Sequence, residues 1–136
     1  METPKKIHIY HYERGVGELI AEILSRRNYV AEYIPISREV AFGSIAEEIA
    51  TKNPDLVFLA LNFGSAVGAG TRFQEGLEEL ARIKARSQVP VVMVTAGGTS
   101  YREEALRKGA NEYLTFPFNV NELVSLVDKL TISQQH

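Results

Sequence analysis

The sequence predicts an α/β fold: a three-layer α/β/α sandwich around a five-stranded parallel sheet with the strand order 2-1-3-4-5. Strand patterns alternate with helix patterns along all 136 residues, as successive βα units require. Residues 56–61 and 89–94 are uninterrupted apolar runs, which is typical of parallel strands covered by helices on both faces. Pro35 lies within the second strand pattern. It favours a position at the sheet edge, because proline cannot donate to a strand ladder.

The first two βα units follow from the spacing of apolar residues. Residues 7–12 are rich in β-branched and aromatic side chains and predict the first strand. The first helix is predicted from apolar residues at the spacing of one helical face: Val16, Leu19, Ile20, Ile23 and Leu24. Residues 29–36 predict the second strand, and Ser37 is the predicted N-cap of the second helix. Asn53 and Pro54 end this helix. Its predicted inward face comprises Phe42, Ile45, Ala46 and Ile49.

The third and fourth units repeat this alternation. The apolar runs 56–61 and 89–94 predict the third and fourth strands. Between them lies a third helix, whose predicted inward face comprises Phe73, Leu77, Leu80 and Ile83. Ser100 and Glu103 predict a capping box at the start of the fourth helix. Gly109 predicts its end, since glycine readily adopts the left-handed conformation that closes helices.

The fifth unit has the clearest helix start. Residues 113–116 predict the last strand. Asn119 with Glu122 caps the fifth helix, whose predicted inward face comprises Leu123, Leu126, Val127 and Leu130. The domain is predicted to span residues 1–131, followed by a polar tail or linker remnant, 132–136.

Composition narrows the classes of function. Hydrophobic residues make up 45% and charged residues 24% of the chain, with a formal net charge of −2. This balance gives no electrostatic reason to expect direct binding to nucleic acid or to an anionic membrane. The absence of cysteine excludes disulfides, thiolate catalysis and zinc–thiolate sites. We expect a cytoplasmic protein, because no signal-peptide pattern and no apolar run of roughly 20 residues is present.

Two segments resemble the receiver domain of bacterial response regulators. Residues 54–62, Pro-Asp-Leu-Val-Phe-Leu-Ala-Leu-Asn, resemble its third strand. Residues 109–118, Gly-Ala-Asn-Glu-Tyr-Leu-Thr-Phe-Pro-Phe, resemble its last strand and the cis-proline turn that follows. The resemblance covers about residues 5–130. It implies a flavodoxin-like (CheY-like) sandwich with its functional site at the carboxyl ends of the strands.

The residues at those strand ends depart from the family. Receivers place an acidic pair after the first strand and an aspartate after the third, which together hold magnesium, and a lysine after the fifth. The acidic pair here is His11-Tyr12, the phosphoacceptor is Ala60 and the lysine is Phe116. Glu13 is the nearest carboxylate, one place past the pair. We therefore expect a degenerate phosphorylation pocket comprising His11, Tyr12, Glu13, Ala60, Asn62, Thr95 and Phe116.

Two features of the family remain, each with two interpretations. Thr95 matches the hydroxyl residue that follows the phosphoryl group, but a threonine at a strand end also caps the next turn. Tyr113 matches the aromatic switch residue, but a tyrosine in a half-buried strand also packs while its hydroxyl reaches water. The resemblance further implies a docking surface on the fourth helix, fifth strand and fifth helix. Its candidate residues are Arg102, Arg107, Glu112 and Tyr113.

The segment 63–71 is rich in glycine and alanine and makes the connection from Ala60 to Gly76 about eight residues longer than in the family. We interpret it as a surface loop; an anion site beside Arg72 is the alternative. A second small-residue run, 96–100, is predicted to lie beside it. Neither run has the specificity of a nucleotide-binding motif.

The histidines do not predict a metal site. His8 and His11 fall on opposite faces of one strand, because side chains alternate along it. We expect His8 to be hydrogen-bonded in or near the core, and His11 to belong to the altered pocket. No catalytic set of residues and no cofactor site is predicted.

The sequence thus predicts a phosphorylation-independent pseudo-receiver, a non-catalytic module that contacts a protein partner, an adjacent domain or a second copy of itself. The alternative is a small-ligand-sensing domain that uses the altered pocket. A third hypothesis is an active receiver phosphorylated at a displaced group such as Glu13.

Overall fold

The computed structural model describes residues 3–37, 43–63 and 75–132. The elements in chain order are β1 (Lys6–His11), α1 (Arg14–Ser25), β2 (Val30–Pro35), α2 (Ser44–Lys52), β3 (Leu56–Ala60), α3 (Glu75–Arg86), β4 (Val91–Thr95), α4 (Arg102–Arg107), β5 (Glu112–Thr115) and α5 (Val120–Ile132). The strands form one parallel sheet in the order β2-β1-β3-β4-β5. The predicted fold class and strand order are confirmed, and the strand that contains Pro35 lies at the edge.

The sheet separates two apolar layers. Alternate residues of a strand point to opposite faces, so Ile7 and Ile9 pack with α1 and α5, whereas Tyr10 packs with α2 and α3. β3 and β4 are buried along their whole length, as their continuous apolar sequence predicts for central strands. None of the helices in the described ranges has the length and apolar character to cross a lipid bilayer.

Two predicted helix starts are wrong. α2 begins at Ser44, after Gly43 in the left-handed conformation at φ 92°, so Ser37 is not its N-cap; Phe42 lies outside the described residues. A carboxylate from α3 takes the place of the local cap, as shown below.

α4 begins one position later than its predicted capping box requires, with Tyr101 at the N-cap and no side-chain cap bond. The amide of Arg102 donates a hydrogen bond to the carbonyl of Thr99, 3.1 Å away, and this turn displaces the start of α4 from Ser100.

The predicted ends of α4 and α2 agree better with the structure. α4 ends before Gly109, which has φ 114° as predicted. α2 ends at Lys52, and its C-cap Asn53 is in the left-handed conformation at φ 51°. The segment 133–136 lies outside the described residues.

Asn119 caps α5 as the sequence predicts. Its Oδ1 accepts a hydrogen bond from the Glu122 amide at 2.6 Å. We expect Asn119→Ala to lower the free energy of unfolding by about 1 kcal/mol, because one backbone donor of the first turn loses its partner. Urea denaturation monitored by circular dichroism measures this change. Asn121→Ala, at an exposed position of the same turn, is the control; equal midpoints for the two variants would contradict the capping role.

Candidate functional site

The carboxyl edge of the sheet gathers the residues of the predicted pocket. His11, Ala60 and Thr95 are the last residues of β1, β3 and β4, and Phe116 follows the last residue of β5. Because all strands are parallel, their carboxyl ends share one edge. The Leu61 amide continues the ladder beyond Ala60 by donating to the Val94 carbonyl at 2.9 Å.

The β1 corner is occupied by two stacked rings. His11 is 4% exposed, and its ring lies nearly parallel to that of Tyr12, with centroids 5.0 Å apart and an interplanar angle of 14°. The Nδ1 atom of His11 accepts a hydrogen bond from the Glu13 amide at 3.0 Å. Burial lowers the pKa of His11 more than the neighbouring carboxylate raises it, so the ring is neutral at neutral pH. Glu13 itself is exposed.

The β3 corner is closed by α3. Ala60 has no exposed surface. The amide of Gly76, in the first turn of α3, donates to the Leu61 carbonyl at 2.8 Å. Phe63 is 2% exposed, and its amide donates to the Glu75 carboxylate at 3.0 Å. Residues 64–71 of the predicted loop and Arg72 lie outside the described residues.

The β4 corner supports the turn-capping interpretation of Thr95. Its Oγ1 accepts a hydrogen bond from the Gly97 amide at 2.9 Å, and its side chain is buried. The hydroxyl of Tyr113 donates to the Gly98 carbonyl at 3.0 Å. Thr95 and Tyr113 therefore both fix the backbone of the β4–α4 connection.

The β5 corner carries an aromatic pair where the family has a lysine. The ring of Phe116 meets that of Phe118 edge-on, at 5.5 Å between centroids and 78° between planes. Both rings pack against the apolar layer formed with α1 and α5. The Phe116–Pro117 peptide bond is cis, as the resemblance implies.

The chemistry of this edge is that of a packed surface. Its described side chains supply the rings of His11 and Tyr12, two phenyl rings, a hydroxyl and the amide of Asn62. They also supply two carboxylates, the exposed one of Glu13 and the partly exposed one of Glu75. Within residues 3–37, 43–63 and 75–132, no group of three histidine or acidic side chains is arranged to hold a metal ion. Magnesium in proteins needs carboxylate oxygens at near-octahedral positions, and the described residues do not offer them here.

The predicted docking residues differ in exposure. Arg102 and Arg107 are exposed on α4, and Glu112 is partly exposed. Glu112 accepts a hydrogen bond from Lys129 of α5, which ties β5 to α5. Tyr113 is only 8% exposed. Its ring fills the layer under α4 and offers little area to a partner, and its role as an interface residue stays a prediction.

Sequence reasoning missed the buried carboxylate of Glu79, which is 1% exposed. Its two oxygens accept hydrogen bonds from the amides of Gly43 and Ala46, both at 3.1 Å. Glu79 thus caps α2 from α3. A signal was present, because Glu79 lies among the apolar positions of the α3 face, and a buried charge requires partners.

Comparisons with known proteins agree with the fold. The family described as "Response regulator receiver domain" matches residues 13–128. Nitrogen assimilation regulatory protein NtrX of Azorhizobium caulinodans is 33% identical over 119 residues, which are 86% of this chain and 24% of that protein. The chain therefore spans about a quarter of this relative's length.

Two solved structures extend the comparison. The receiver domain of NtrX from Brucella abortus has a TM-score of 0.72 and 27% identity, with 92% of this chain and 97% of that chain covered. The BeF3-activated N-terminal receiver domain of Klebsiella pneumoniae RstA has a TM-score of 0.74 and 23% identity, covering 93% and 97% of the two chains. The family match over most of the sequence and the shared sheet order lead to one conclusion: this chain belongs to the response-regulator receiver domain family.

Proposed function

We propose that this receiver domain is a pseudo-receiver, a non-catalytic module that contacts its partner independently of phosphorylation. The observation that carries the proposal is Ala60. Alanine has no atom that can attack phosphorus, and here it ends β3 without exposed surface. The start of α3 lies directly over it, with the Gly76 amide bonded to the next carbonyl.

The electrostatics of the edge support the same proposal. Phosphoryl transfer depends on a cation and on positive groups that stabilise the transferred charge. The positions of the acidic pair hold the stacked His11 and Tyr12, and the position of the lysine holds Phe116. An ammonium group beside absent carboxylates would be a costly unpaired charge. The absence of the acidic residues is therefore consistent with the absence of the lysine.

We propose that the partner is a protein or an adjacent domain, bound through α4, β5 and α5. The exposed charges of this face include Arg102 and Arg107, beside the Glu112–Lys129 pair. Tyr113 lies beneath this surface, and its hydroxyl donates a hydrogen bond to the Gly98 carbonyl. Since the phosphoryl group cannot act as input, the face is either fixed or controlled from elsewhere in the domain.

Backbone amide NMR spectra with and without magnesium and beryllofluoride test the proposal. We expect an unchanged spectrum when both are added, because no carboxylate at position 60 can hold the beryllium. The BeF3-activated RstA receiver domain provides the positive control for the reagent. Localised and saturable shifts around Glu13, Thr95 and Tyr113 would disprove the pseudo-receiver. They would favour the ligand-sensing alternative or a displaced phosphoacceptor.

A gain-of-function variant makes the test sharper. We expect His11→Asp, Tyr12→Asp, Ala60→Asp and Phe116→Lys together to restore shifts with beryllofluoride. Ala60→Asp alone should not, because the cation site would still lack two acids. Circular dichroism establishes that each variant is folded before it is scored. Binding by the single variant would show that the remaining residues of the edge suffice, against the proposal.

A further inference from the structure

A buried polar chain runs from β1 to α2, away from the carboxyl edge of the sheet. His8 lies in β1 between β2 and β3, and it is 6% exposed. Its Nδ1 is 3.2 Å from the hydroxyl of Tyr10, two residues along the same strand face. That hydroxyl donates to Oε2 of Glu48, on α2, at 3.0 Å. The chain thus links an interior strand to a helix through polar groups.

The hydrogen bonds indicate which nitrogen of a neutral His8 ring carries the proton. The Tyr10 hydroxyl proton is directed to Glu48, so its oxygen accepts the Nδ1 proton of His8. In the neutral ring the Nε2 atom is then unprotonated. It faces Oε1 of Glu32, in the edge strand β2, at 3.9 Å. The Nε2 atom, at which this network can take up a proton, therefore lies between β1 and the edge strand β2.

We propose that His8 is the proton-sensitive input of this domain: proton uptake at its Nε2 atom loosens α2 and the edge strand β2 from β1. Protonation places a positive charge on a ring that is only 6% exposed, and a buried charge is costly without a hydrogen-bonded partner. The nearest carboxylate oxygen, Oε1 of Glu32, is 3.9 Å from Nε2, which is too far for a hydrogen bond, and the Glu32 side chain is 60% exposed. Opening of β2 and α2 from β1 gives the charged ring access to water, and β2 has only β1 as a neighbour in the sheet.

Four charged groups face His8, and their effects oppose one another. Burial is the largest influence and lowers the pKa of His8; Glu32 and Glu48 raise this pKa, whereas Lys52 and Lys6 lower it further. Because the net pKa in the folded state lies below the ordinary 6.5, the unfolded chain binds the proton first as the pH falls. Stability contributed by the neutral ring is thus fully present above about pH 6.5 and is lost as the pH falls from that value through the lower pKa of the folded state.

The expected effect has a bounded size. One proton taken up preferentially by the unfolded or opened state changes the opening equilibrium by at most about tenfold per pH unit. We expect hydrogen exchange at the amides of β2 and α2 to accelerate between pH 7.5 and 5.5, after correction for intrinsic exchange. Amides of β4, which is buried along its whole length, should keep their exchange rates unless the whole domain unfolds.

His8→Gln and His11→Gln form a matched pair for the test. Both histidines are buried in β1, and burial lowers the pKa of each, but His11 bonds to the Glu13 amide instead. We expect the acid acceleration in β2 and α2 to persist in His11→Gln and to vanish in His8→Gln. An acid response that survives in His8→Gln would overturn the proposal.

Tyr10→Phe provides a second, independent readout. It cuts the bonds from His8 to Glu48 while keeping the ring. NMR of the imidazole Cε1–Hε1 signal should show that His8 still titrates in this variant, whereas α2 amide shifts no longer follow the titration. A His8 signal that fails to titrate between pH 7.5 and 4.5 in the unmodified protein would refute the sensor. The inference does not depend on the proposed function, since the response to beryllofluoride is a separate measurement.

Discussion

Gly76→Ala is expected to lower the free energy of unfolding by about 3 kcal/mol, because the added methyl group would overlap backbone atoms. A Cβ at this position would lie 2.1 Å from the Ala60 carbonyl oxygen and 2.7 Å from that of Leu61. Both are backbone atoms of the central strand or its extension, and neither can rotate away as a side chain does. The first turn of α3 would have to withdraw from the end of β3.

The measurement is urea denaturation, with the slope compared between variants to show that the same transition is observed. Gly15→Ala is the control, because Gly15 is an exposed residue of α1 with nothing within 4 Å of the added Cβ. That substitution should stabilise by roughly 0.5–1 kcal/mol through helix propensity. Equal stability of Gly76→Ala and the unmodified protein would show that α3 does not rest on these two carbonyls.

This contact also connects stability to the proposed function. Withdrawal of α3 would remove the Gly76–Leu61 hydrogen bond of 2.8 Å and expose Ala60. We therefore expect amide shifts from Gly76→Ala to concentrate at the end of β3 and the start of α3. Shifts confined to these residues would identify the contact between α3 and the end of β3 as the feature that keeps Ala60 buried.

The sequence predicts those parts of the structure that depend on local periodicity. The apolar runs at 56–61 and 89–94 have only one buried arrangement in a parallel sheet, and Pro35 selects the edge. Once the order is set, parallel strands must bring His11, Ala60 and Thr95 to one edge. The sequence therefore predicts which residues lie at this edge. It does not predict the stacking of His11 on Tyr12 or the edge-on contact of Phe116 with Phe118.

Long-range polar contacts could not be predicted in this way. Ser37 was a reasonable local cap, yet α2 begins at Ser44 because a carboxylate 36 residues beyond Gly43 supplies the acceptor. The burial of Tyr113 depends on how α4 covers β5, which a single strand pattern does not reveal. In each case the deciding partner lies on another element, and no spacing rule links the two positions.

Glu79→Gln is expected to destabilise the domain by about 2 kcal/mol, even though the two side chains have nearly the same shape. Hydrogen bonds to a charged acceptor contribute roughly 1.5–3 kcal/mol when buried. An amide can offer its oxygen to only one of the two backbone donors, Gly43 and Ala46. Its NH₂ group then faces the other, leaving a helix N-terminal donor without an acceptor. The negative charge that favours this helix end is lost as well.

Glu78→Gln is the matched control, since Glu78 is the preceding residue of α3 and is exposed. It should change stability by no more than about 0.5 kcal/mol. Hydrogen exchange distinguishes the mechanism from a general weakening of α3. In Glu79→Gln we expect faster exchange at Gly43 and Ala46, whereas the Ser87 amide at the far end of α3, bonded to the Ile83 carbonyl at 2.9 Å, keeps its protection.

The two outcomes separate a local from a cooperative role for this carboxylate. If both exchange and the urea midpoint change, the cap is part of the cooperative unit that joins α2 to α3. Faster exchange with an unchanged midpoint would mean that α2 frays without weakening the fold, against the predicted loss of stability.

Combining Glu79→Gln with Arg82→Gln completes a double-mutant cycle for this ion pair. Arg82 Nη1 lies 3.5 Å from Glu79 Oε1, so non-additive losses would show that the guanidinium holds the carboxylate in its capping position.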